Sequence, residues 1–95
     1  MQVIINMYQE IPSYCRRCNT ISMHIVWQDS SHGPVKAKCL NCGGIASSGN
    51  YPADRGILGV TPSYCSRCGT ITMHVIFENS LHGKMSMCIG CGKLT

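Results

Sequence analysis

Four Cys-x2-Cys pairs punctuate this chain: Cys15 and Cys18, Cys39 and Cys42, Cys65 and Cys68, Cys88 and Cys91. Twenty residues separate the first two pairs and nineteen separate the last two. A Cys-x2-Cys turn aims two sulfurs at one point. An intervening hairpin brings a second such turn beside the first, so each half of the chain can gather four sulfurs around one centre. Any fold open to this sequence must meet that condition twice.

The rest of the sequence is also written twice. Residues 12–33 and 62–83 are identical at 13 of 22 positions, and Cys39-Leu-Asn-Cys-Gly returns as Cys88-Ile-Gly-Cys-Gly. Between the copies, residues 44–56 are rich in Gly, Ser and Pro, the composition of a linker. We therefore expect two units, 1–50 with an N-terminal strand and 51–95, with Val3 to Tyr8 and Ile57 to Val60 as short strands leading into each. The second copy stops three residues after Gly92, so its third strand is expected from elsewhere or not at all.

Half of a 95-residue chain with one Phe and one Trp has little core, and units near 40 residues usually need disulfides, metal or association. Metal supplies the shortfall, because a structural zinc site is worth about 10–16 kcal/mol at neutral pH. Disulfides and rubredoxin-like iron are the competing readings of the cysteines. The N-terminus lacks the basic region and cleavage site of a secretory signal, and no stretch approaches the roughly 18 apolar residues of a membrane span. We read the chain as soluble and cytoplasmic, where thiols stay reduced and paired cysteines hold metal.

Within each copy the hydrophobic period is two. Ile21, Met23, Ile25 and Trp27 alternate with Thr20, Ser22, His24 and Val26, and Ile71, Met73, Val75 and Phe77 repeat the pattern. That is the signature of a strand with one apolar face. Turn residues over 28–34 and 78–84 predict hairpin loops, with short return strands over 35–38 and 85–87. The fold class expected is small, metal-stabilised and all-β, with two apolar faces that either pack together, pack on the leading strands, or serve as a docking surface. Gly43, Gly69 and Gly92 each follow a cysteine pair, where positive φ lets the chain double back with its amides toward sulfur.

With these spacings the chain resembles the zinc-ribbon superfamily, over nearly all of residues 12–43 and 62–92. The resemblance implies two tandem zinc ribbons, each a β-hairpin with two zinc knuckles, and two Zn2+ ions. Tyr14-Cys-x2-Cys with His24, and its repeat at Tyr64, Cys65, Cys68 and His74, is also similar to zinc ribbons of some large-subunit ribosomal proteins. That likeness favours RNA or a ribonucleoprotein as partner.

The chain carries 8 Lys and Arg against 4 Asp and Glu, a net charge of +4. Arg16, Arg17 and Arg67 lie inside the first cysteine turn of each copy, and Lys36 and Lys38 share one side of the return strand. They suit phosphate contact, and they equally suit a solvated surface that offsets thiolate charge. His24 and His74 are either nucleic-acid contacts or histidines bonded to backbone. Four cysteines per site leave no open coordination position for catalysis, and no nucleophile–base pair or phosphate loop is visible. The function expected is a non-catalytic module binding nucleic acid, RNA before DNA, or a ribonucleoprotein, with no small-molecule substrate and no membrane. The alternative is a small adaptor that docks on a transcription or translation machine.

Overall fold

The structure, a computed structural model, describes residues 8–95. The strand expected over Val3 to Tyr8 lies outside them except for Tyr8. Seven strands form two antiparallel sheets. β1 (Tyr8–Cys15), β2 (Thr20–Gln28), β3 (Val35–Cys39) and β4 (Ile45–Ser47) pair in that order, and β5 (Ile57–Cys65), β6 (Thr70–Asn79) and β7 (Gly83–Cys88) form the second sheet. The described residues contain no helix. Each sheet holds the expected hairpin, and its leading strand runs on to the first cysteine of its copy, β1 to Cys15 and β5 to Cys65, beyond the Ile57 to Val60 expected for the second. The second copy does have its third strand, because β5 runs from Ile57 to Cys65 with a bulge between Ile57 and Gly59. A single bridge from Met87 to Leu94 stands where β4 stands in the first sheet.

The two sheets pack on each other, with different faces. Opposed residues of an antiparallel pair point to the same side. In the first sheet His24 opposes Cys39, Val26 opposes Ala37 and Gln28 opposes Val35, and all six are buried with Ile11 and Ser13. In the second sheet Val75 opposes Met87 and Phe77 opposes Met85, and it is this opposite face that enters the core. Between the sheets, the Met73 amide donates to the Ser13 hydroxyl at 3.0 Å and the Arg16 amide donates to the Gly90 carbonyl at 3.3 Å.

This corrects the expected inner face of the first copy. Ile21 is 69% and Met23 41% exposed, and the stripe they share with Ile25 and Trp27 faces outward. Cys39 must turn its sulfur to the metal, and the pleat then sends His24, Val26 and Gln28 to that side. With Val35 and Ala37 opposite them, this side is apolar enough to bury.

The linker is also more than a spacer. Ala53 is 0% exposed. Its amide donates to the Gly33 carbonyl in the first hairpin loop, while Arg55 and Glu78 tie its far end to β6. The Gln28 side chain donates to both the Gly33 and Ala53 carbonyls, and Asn79 donates to the Pro52 carbonyl. Residues 48–56 thus clasp the hairpin loops, at the end of the molecule away from the cysteines.

Candidate metal centres

Each cysteine pair sits where one strand ends and the next begins. Cys15 closes β1, and Cys18 falls in the turn before β2. Cys39 closes β3, with Cys42 in the turn before β4. Cys65, Cys68, Cys88 and Cys91 repeat the arrangement on β5 to β7. In every turn the amide of the residue after the second cysteine donates to the carbonyl of the first: Asn19 to Cys15, Gly43 to Cys39, Gly69 to Cys65 and Gly92 to Cys88, all at 2.8 Å. All four residues have positive φ. Three are the expected glycines. Asn19, which the sequence reading missed, is the residue type that best tolerates this region after glycine, and its side-chain oxygen accepts the Tyr14 hydroxyl at 2.7 Å.

The sulfurs of Cys15, Cys18, Cys39 and Cys42 lie within 4.8 Å of one another, as do those of Cys65, Cys68, Cys88 and Cys91. The closest approaches are 3.8 Å for both Cys15–Cys42 and Cys18–Cys39, 3.6 Å for Cys65–Cys91 and 3.9 Å for Cys68–Cys88. A tetrahedron with Zn–S bonds of about 2.3 Å has edges of about 3.8 Å. A disulfide would need about 2.05 Å, and all eight cysteines are free. The two centres therefore fit one zinc ion each, in a small all-β, zinc-ribbon-like fold. Comparison with known proteins finds no matching family model, no matching curated protein and no matching solved structure.

Hydrogen bonds to sulfur shape the centres further. The Ser22 hydroxyl lies 3.1 Å from the Cys39 sulfur, its repeat Thr72 lies 3.0 Å from Cys88, and the Asn41 amide donates to Cys18 at 3.3 Å. Burial pushes the Cys15 thiol up to about 11 against the amide of Cys18. At Cys39 burial pulls the same way, but the Ser22 hydroxyl and the amides of Cys42 and Asn41 outweigh it and hold the thiol at about 6. Cys65 is brought down to about 7 against burial, chiefly by the Cys68 amide. Burial raises Cys68, helped by repulsion from Cys88, and burial raises Cys91. The first centre thus sets Cys39, ionised at neutral pH, beside Cys15, which keeps its proton until a divalent cation displaces it.

His24 and His74 are not surface residues. They are 1% and 6% exposed, and each ring Nδ1 bonds the backbone carbonyl two residues earlier, on Ser22 and Thr72. Each ring holds in place the residue whose hydroxyl meets sulfur. The signal for Ser22 and Thr72 was in the sequence, as a hydroxyl kept at one repeat position two residues before His.

The basic residues divide. Arg16, Arg17, Lys38 and Arg67 are exposed, while Lys36 pairs with Asp29. That pairing, with the Trp27 indole N–H, holds the Asp29 carboxyl below its usual range. Lys36 opposes Trp27 and Lys38 opposes Ile25, so both lysines lie on the outward face of the first sheet. Arg17 turns instead toward Gly44, at the metal end.

Proposed function

We propose that the chain is a non-catalytic module, held by two zinc ions, that binds nucleic acid through the outward face of its first sheet, RNA before DNA, alone or within a ribonucleoprotein. The observation that carries this reading is the register that sets Lys36 beside Trp27 and Lys38 beside Ile25 on a face the second sheet leaves open. Cations beside an aromatic ring on an open sheet suit a single strand, whose phosphates take the charge and whose bases stack. Arg16 and Arg67 are exposed as well, in the cysteine turns. Filled cysteine sites support a structural use of the metal, and eight ligand thiols suit a reducing, cytoplasmic setting.

Titration of a labelled single-stranded RNA and the matching DNA across a salt series tests the reading. Binding should weaken steeply with salt, and Lys38→Ala should reduce the log–log slope by about 0.7, one single-strand phosphate contact, whereas Lys36→Ala should change it less because Asp29 already pairs with that lysine. Failure to bind either strand at low salt removes the proposal.

One observation favours a second reading, a protein-docking adaptor. Ile21, Met23 and Leu40 are exposed together near the first cysteine turns, where the Leu40 amide bonds the Met23 carbonyl. Under that reading Met23→Ser and Leu40→Ser abolish capture of a protein partner, and the lysine substitutions do not.

A further inference from the structure

We propose that Arg17 is the shared counter-charge of the two metal centres and couples their occupancy, an inference that rests on both centres holding zinc. Four thiolates around Zn2+ leave each centre with a formal charge of about −2. The two centres open onto one small cavity of about 100 Å³, lined by Cys15, Cys39 and Cys42 of the first, Cys91 of the second, and Arg17. Arg17 and Cys91 also line the adjoining outer cleft with Arg16 and Gly90.

The guanidinium reaches back over the second cysteine turn of its own centre. Its Nη1 and Cζ stand 2.9 and 3.1 Å from where a Cβ on Gly44 would be, so the guanidinium lies close against that glycine. No carboxylate pairs with it among the described residues; the one ion pair found there is Lys36 with Asp29. The thiolates are the negative charge it faces. The second copy lacks this arrangement, since Lys93 stands where Gly44 does and bonds Ser66. Arg67, the repeat of Arg17, does not line the shared cavity.

Two like-charged centres facing one cavity disfavour each other's loading, and a cation lining that cavity offsets the cost at both. Arg17 belongs to the cysteine turn of the first centre, yet its loss weakens the second as well. A side chain that only props its own turn has no such reach.

The test uses the zinc-loaded full chain, challenged with a chelator and a thiol-alkylating reagent, without nucleic acid. Native mass spectrometry counts the zinc ions, and peptide mapping shows which cysteines have been labelled. Arg17→Met should speed labelling of both cysteine sets about tenfold, in the range of other groups that support a metal site from outside its ligands. The difference should shrink at high salt. Arg17→Lys should behave nearly as wild type, and Arg67→Met should speed only Cys65, Cys68, Cys88 and Cys91. Labelling by Arg17→Met confined to Cys15, Cys18, Cys39 and Cys42, or unchanged everywhere, overturns the proposal. Failure of the zinc reading gives a different result, a wild-type spectrum with no zinc mass.

Discussion

The carbonyl oxygen of Tyr14 lies 2.5 Å from the point where a Cβ on Gly90 would stand. Real Cβ atoms do not come that close, so the first sheet docks on the second only because residue 90 is glycine. The first copy has Asn41 at the corresponding position. The contact joins unlike faces of the two repeats. Gly90→Asn should force the sheets apart locally at a cost of about 1–3 kcal/mol, typical of overpacking. The expected result is a lower melting temperature for the zinc-loaded protein, faster hydrogen exchange at the Arg16 amide, and an unchanged count of two zinc ions.

Ser22 and Thr72 approach the sulfurs of Cys39 and Cys88 at 3.1 and 3.0 Å. Removing a group that hydrogen-bonds a metal ligand commonly costs about 10–100-fold in affinity. Ser22→Ala should weaken the first centre and Thr72→Val the second, each by about tenfold, in competition with a colorimetric chelator. The double variant should multiply the two effects, since the hydroxyls serve different ions.

The contrast in acidity between Cys39 and Cys15 gives loading of the first centre a pH signature. At pH 7 Cys39, held at about 6, has already lost its proton, whereas Cys15, at about 11, keeps its own. Zinc then expels the Cys15 proton but finds none on Cys39. Below pH 6 Cys39 is protonated before loading, so one more proton is released per ion and affinity falls more steeply with acid. Titration calorimetry in buffers of different ionisation enthalpy counts these protons. In Ser22→Ala, with the largest lowering influence on Cys39 gone, the additional proton should be released already near pH 7.

The parts of the fold legible in the sequence were those set by local spacing. Cys-x2-Cys fixes the turns, the period of two fixes the strands, and Asp, Ser, His and Gly mark the hairpin loops. The buried face of β2 was not legible. Val26 and Ile25 are equally apolar, and the choice between them is made by Cys39 across the sheet and by a second sheet that presents its other side. The role of residues 48–56 was hidden for a related reason. Pro52, Ala53 and Gly56 have the composition of a loose connector, and only the backbone bonds they make to distant loops turn them into a clasp. Asn19 shows the same limit at one residue: its positive φ is visible only through the backbone bond that it shares with three glycines.

That clasp is the last place where a single side chain decides the outcome. The Gln28 amide donates to both the Gly33 and Ala53 carbonyls at 3.0 Å from a buried position. Gln28→Ala removes both bonds, at a cost of about 1–3 kcal/mol for a buried polar group left without its partner. Gln28→Glu, which copies the residue at the matching position of the second repeat, should cost more. A carboxylate cannot donate, and its charge would face two carbonyl oxygens in a site that excludes water. Urea unfolding of the zinc-loaded protein should therefore rank wild type above Gln28→Ala and Gln28→Ala above Gln28→Glu. Zinc affinity should stay near wild type in both variants, because β2 carries Gln28 to the end of the sheet farthest from the cysteines.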